Sequence, residues 1–84
     1  MTNEAQYVIC DGAPGVPDGA LVIKDVGGVN NTSITNAAEE VIKRLISFGS
    51  LKAGQRLFYF DSEGDLDEIL WVKGRFLGFK TGPR

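Results

Sequence analysis

Apolar and polar residues follow two different periods along this chain, and each period picks out its own kind of element. From Ile34 to Phe48, apolar side chains recur every three or four positions. Ile34, Ala38, Val41, Ile42, Leu45, Ile46 and Phe48 fall on one face of a helical wheel, and Asn36, Glu39, Glu40, Lys43, Arg44 and Ser47 on the other. This predicts one amphipathic helix. Ser33 or Thr35 is placed to cap its start, and Glu39, three residues after Asn36, leaves the exact first residue open. Glu39–Lys43 and Glu40–Arg44 are i,i+4 pairs in the favourable order, each contributing about 0.2–0.5 kcal/mol. Gly49 closes the helix.

Elsewhere the apolar residues come in short runs rich in β-branched and aromatic types, bounded by glycine, proline and aspartate. Tyr7–Cys10, Ala20–Lys24, Arg56–Phe60, Leu66–Val72 and Arg75–Lys80 are the predicted strands. Gly74 is either a tight turn between the last two or a bulge within one long strand. Residues 11 to 20, DGAPGVPDGA, hold two Gly-X-Pro triplets, too few for a triple helix. They lack the GxGxxG spacing and the GK[ST] ending of phosphate loops, so they are expected to be a proline-stiffened connection ending in a Pro17-Asp18-Gly19 turn. The resulting order is ββαβββ. It predicts a single small α+β domain over residues 1–84, with a tail at 81–84 that frays. Its antiparallel sheet, open or curled toward a barrel, packs against the helix.

The strand runs carry a further message. A strand with one wet side alternates apolar and polar residues, yet Leu57–Phe60 and Ile69–Val72 are apolar on both sides, and Ala20–Ile23 is similar. One helix covers one face of a small sheet. The other face therefore needs a second cover, supplied by curvature of the sheet or by another molecule.

FDSEGDLDE, residues 60–68, concentrates five carboxylates. As a calcium loop starting at Asp61 it fails, because glycine falls at position 4, Leu66 at position 6, and Val72 replaces the bidentate glutamate of position 12. As a turn it works: Asp61-Ser62-Glu63-Gly64 suits a type I turn, followed by a left-handed glycine that makes the bulge of a three-residue hairpin loop. A weak cation site or a partner-binding acidic patch is the remaining use for these side chains.

Composition narrows the chemistry. The chain has 84 residues and no histidine. The absence of histidine removes the commonest general acid/base, the Ser-His and Cys-His nucleophile pairs and His-based metal sites, so an enzyme is disfavoured, and neither a metal nor a cofactor is expected. One cysteine, Cys10, cannot close an internal disulfide and is read as a packed residue. No apolar run reaches the ~20 residues of a membrane span, and no secretory signal is visible, so a cytoplasmic protein is expected and the two glycosylation-type triplets at Asn30 and Asn31 are read as loop polarity. Net charge is −2 but unevenly spread: after Glu68 the chain carries Lys73, Arg75, Lys80 and Arg84 and no acid.

These readings favour a small non-enzymatic interaction module that binds itself or another protein through apolar strand surface. The expected contact residues are Tyr59, Trp71, Phe76 and Phe79, with Arg75 at the rim, because aromatics and arginine dominate such contacts. A homodimer is the simplest form. The alternative is a single-stranded nucleic-acid module using the basic and aromatic segment 73–84, and a third is cation-dependent or enzymatic use of the carboxylates at 61–68.

Overall fold

A computed structural model describes residues 4–27 and 30–81. Within them the chain forms β1 (Tyr7–Cys10), β2 (Leu21–Asp25), α1 (Ala38–Ser47), β3 (Leu57–Phe60), β4 (Leu66–Val72) and β5 (Arg75–Thr81). The five strands lie in one sheet in chain order, β1-β2-β3-β4-β5, so the expected α+β architecture with one helix holds. Most of the tail expected to fray, residues 82–84, lies outside the described residues, and Thr81 is the last residue of β5.

Three of the four strand pairs are antiparallel, but β2 and β3 run parallel, with Leu21 opposite Leu57 and Lys24 opposite Phe60. The wholly antiparallel sheet expected from the strand pattern is thus corrected to a mixed one. The physical reason is the connection: a helix between two strands carries the chain back to the end where it started, so the next strand runs the same way. The sheet does not close. β1 and β5 remain as edges.

α1 lays Ala38, Val41, Ile42 and Leu45 on one face of the sheet, where Leu21, Ile23, Leu57, Tyr59 and Ile69 meet them in the main core. The helix is shorter than its periodicity suggests. Ile34–Asn36 forms a single 3-10 turn, Ala37 breaks the geometry, and the α-helix begins at Ala38. Thr35 and Asn36 are poor helix formers that favour local alternatives. Neither Ser33 nor Thr35 caps the start. The carboxylate of Asp25, at the end of β2, does comparable work, accepting from Gly27 N at 2.8 Å and from Ile34 N at 3.4 Å. At the other end Ser50 N donates to Leu45 O and Gly49 N to Ile46 O, the paired bonds of a Schellman closure. Phe48, assigned by periodicity to the apolar face, lies beyond the last turn and is 74% exposed. Of the two expected ion pairs only Glu39–Lys43 is present, at 3.6 Å; Arg44 turns instead to Glu4 at 3.7 Å.

The second face is covered largely by the chain itself. Val22 and Phe58 are register partners on the central strands and are fully buried, yet both lie outside the helix-side cluster. Gly15 and Pro17, from the proline-stiffened β1–β2 connection, line the same cleft as Phe58. The Arg56 guanidinium sits 5.1 Å over the Phe58 ring, and Gln55 Nε2 ties the connection down through Gly19 O at 2.9 Å. Curling of the sheet is not what buries this face.

Both hairpin turns follow from local chemistry. Gly64 N donates to Asp61 O, Asp61 N to Asp65 O, and Gly64 stands at φ 86°, which is the type I turn plus left-handed glycine expected. At the other end of β4, Lys73 (φ 52°) and Gly74 (φ 80°) make a two-residue turn of the I′ kind. Gly74 is therefore a tight turn. A bulge exists as well, further along, where the β4–β5 register slips between Leu70 and Trp71.

Truncating Phe58 to alanine removes the side chain on which the second face is built. Phe58→Ala should cost about 3–5 kcal/mol, a large share of the roughly 5–15 kcal/mol available to a domain of this kind. Urea unfolding monitored by the lone tryptophan checks it.

Candidate functional site around Trp71

Trp71 lies near the C-terminal end of β4, beside the register slip, and is half-buried. Its Nε1–H donates to the carbonyl of Gln55 at 2.9 Å, which fixes the ring's polar edge inward. The ring forms a ridge between two open concavities. One, of about 480 Å³, brings Lys43 and Ile46 of α1 together with Lys73, Gly74 and Arg75 of the β4–β5 turn. The other, of about 510 Å³, runs along the second face past Leu70, Val72 and Leu77. Val72 and Leu77 are half or more exposed, and Ile46 is exposed as well.

Three cations from two elements converge on the first concavity with no carboxylate among its lining residues. Lys73 holds its place in a left-handed backbone conformation that asparagine or glycine adopts at less cost. Glu39 stands just outside. Its Oε2 accepts Phe76 N at 3.2 Å, and that backbone donor, followed by the charge of Lys43, holds its carboxyl below the ordinary range. This bond fastens the start of β5 to α1.

The residues expected at a contact surface divide into two groups. Trp71 and Arg75 share the first concavity. Tyr59, Phe76 and Phe79 form a separate aromatic stack, with ring centroids 5.4 Å (Tyr59–Phe79) and 4.8 Å (Phe76–Phe79) apart. Tyr59 is only 4% exposed and its hydroxyl lies 3.5 Å from Thr35 Oγ1. Burial raises its pKa above the ordinary 10 despite that contact, so the ring is core and presents little surface to a partner. Leu77, Val72 and Ile46 were not singled out by sequence reasoning. The register slip is what turns Leu77 outward beside Val72, and its one signal in the sequence is Gly78, a glycine inside the strand that stands at φ 153°.

The basic and aromatic segment does not form one track. Lys80 faces Glu68 on the second face, Lys73 and Arg75 line the Trp71 concavity, and Phe76 and Phe79 stack toward Tyr59. In the acidic turn, Asp61 Oδ1 accepts Glu63 N at 2.9 Å and Asp65 N at 2.8 Å, so this oxygen is engaged in holding the loop. Among the described residues no group of three or more Asp, Glu, Cys or His side chains is arranged to hold a metal ion. No helix of the described residues is long and apolar enough to cross a membrane. No protein-family model, curated protein or solved structure matches the chain.

Glu68 borders the second concavity and is the one buried acid among the described residues. Arg56 grips it through two bonds, Nε to Oε2 at 2.9 Å and Nη2 to Oε1 at 2.7 Å, a forked charge-assisted contact. That contact lowers the Glu68 pKa from its ordinary 4.5, outweighing burial, which acts the other way. A carboxyl depressed by folding contributes stability that is present above its unfolded pKa and lost as pH falls through its folded one. Wild-type stability should therefore fall below about pH 4.5 more steeply than that of Glu68→Gln, as read by urea unfolding across the acid range. At the turn, Lys73→Asn should raise stability by about 1 kcal/mol in the same assay, because asparagine relieves the left-handed strain.

Proposed function

We propose that this chain is a small non-enzymatic protein-interaction module whose contact surface is the corner around Trp71. The observation that carries the reading is the gathering of exposed Ile46, Val72 and Leu77 about one half-buried, hydrogen-bonded tryptophan. A tryptophan anchor with apolar neighbours and a charged rim is the composition of an interface hot spot. Arg75, Lys73 and Lys43 form that rim, so the partner is a protein that presents an apolar side chain beside acidic ones. Tyr59, Phe76 and Phe79 support the corner from the helix side. Lys73 also fits this reading: natural proteins keep a strained residue where function uses its side chain. The single-stranded nucleic-acid alternative draws less support, because its bases and aromatics are divided among three places.

Photo-cross-linking in the source cells tests the proposal. Leu77→benzoylphenylalanine should give a discrete protein adduct that the same replacement at exposed Glu63 does not, and Ile46→Asp in the same chain should abolish it. Absence of an adduct, or an identical adduct from position 63, would remove the Trp71 corner as the contact surface.

A further inference from the structure

The sheet ends in two edges that are built differently. β5 carries Arg75 and Lys80 and a slip in its pairing with β4, the devices by which natural sheets discourage edge-to-edge association. β1 has neither a charge nor a slip, and of such devices shows only its shortness, four residues. Tyr7-Val8-Ile9-Cys10 contains no charge and no proline, and it pairs with β2 residue for residue without a slip. Apolar surface collects at the same edge. Of the eight large apolar side chains left exposed among the described residues, four are here: Val8 (48%), Ile9 (51%), Val26 (43%) and Phe48 (74%). All four line one open groove of about 600 Å³ that wraps the strand.

Backbone directions specify what fits. Val26 N donates to Gln6 O at 3.1 Å, so Gln6 points its main-chain groups at β2. In an antiparallel pair those directions alternate, and Val8 and Cys10 therefore also face β2, while Tyr7 and Ile9 direct N–H and C=O outward, where no strand lies. The occupant is an extended strand.

We infer that this strand is β1 of a second copy, paired antiparallel about a twofold axis perpendicular to the sheet. Such an axis keeps helix side with helix side, so Tyr7 must meet an odd-numbered residue. Tyr7 opposite the partner's Ile9, and Ile9 opposite the partner's Tyr7, satisfies every outward donor and acceptor of the two residues. Val8 then stacks on its own symmetry mate at the axis. The uncharged, apolar strand is its own complement, and the isologous contact closes after two copies. The four exposed side chains offer on the order of 350 Å² per copy; pairing them, together with the strand backbones, approaches the ~1,000 Å² that a specific interface needs. This surface is separate from the Trp71 corner and stands without it.

Size-exclusion light scattering on the full chain reads the outcome first. Wild type should run at twice the 9.1 kDa chain mass, and Ile9→Lys, at an exposed position, should run as a monomer with an unchanged far-ultraviolet circular dichroism spectrum. The register is read by Val8→Cys combined with Cys10→Ser. Mild oxidation should join two such chains, because opposed residues on the same face place Cβ atoms ~4.5–5.5 Å apart. Lys24→Cys with Cys10→Ser, one strand inward, should not join. A monomer throughout would overturn the inference, including one that takes up an apolar extended peptide instead. A dimer that survives Ile9→Lys would overturn it too, and so would a dimer whose Val8→Cys form fails to cross-link.

Discussion

β2 and β3 are strands that water must be kept from on both sides. Leu21, Ile23, Leu57 and Tyr59 point one way, Val22 and Phe58 the other, and all six are buried. A parallel pair with two buried faces is the usual situation in α/β proteins, where helices on both sides supply the cover. This chain has one helix. Its second cover is improvised from the β1–β2 connection, which folds as two successive turns closed by Val16 N to Ala13 O and Ala20 N to Pro17 O, and from Arg56, which lies on Phe58 while gripping Glu68. The ion pair is thus part of the roof of the second core. Arg56 leaves half of its side chain in water and so avoids the full desolvation penalty of a buried charge.

That improvised cover stops short of the sheet's ends, and what remains exposed follows from where it stops. Beyond it lie Val72 and Leu77 at one corner, and Val8 and Val26 along the β1 edge. Charge is sorted along the same molecule. The two turns joined to β4 are at opposite ends of that strand, so the carboxylates of Asp61 to Asp67 and the cations of Lys73 and Arg75 lie apart, about seven residues or ~23 Å along an extended strand.

Much of the fold could be read from residue pattern alone, because local chemistry decided it. The helix face from Ala38 to Leu45, the Asp61–Gly64 turn and the five strands are each written in a few consecutive residues. Long-range pairing was less legible. The parallel β2–β3 contact follows from the connection rather than from any residue, and the Asp25 carboxylate caps a turn nine residues away. The two-sided apolar strands correctly announced a second cover, but not that DGAPGVPDGA supplies it, since proline and glycine signal a connection without saying what it crosses. Phe48 misled for the opposite reason: its periodic position is sound, but the Schellman closure ends the helix just before it could be buried. Tyr59, Trp71, Arg75, Phe76 and Phe79 do cluster in two neighbouring groups. Of the apolar residues that accompany Trp71, Leu77 needed the β4–β5 slip to bring it out, whereas Ile46 comes from α1.

The two leftover surfaces have a relation that neither shows alone. β1 and β5 are opposite edges of a five-stranded sheet, separated by four strand spacings, roughly 19 Å. A pair formed through β1 therefore leaves both Trp71 corners free and carries them to the far margins of a continuous ten-stranded sheet, related by the same twofold axis. Such a pair presents two identical contact sites at a fixed separation. Two weak contacts on one rigid body bind a repeated or dimeric partner far more tightly than either does alone, provided the spacing matches. A small domain has little surface from which to build one strong interface. Pairing through an edge strand would double that surface without adding a residue, which would give the uncharged β1 edge a use while β5, next to the proposed contact corner, is blunted.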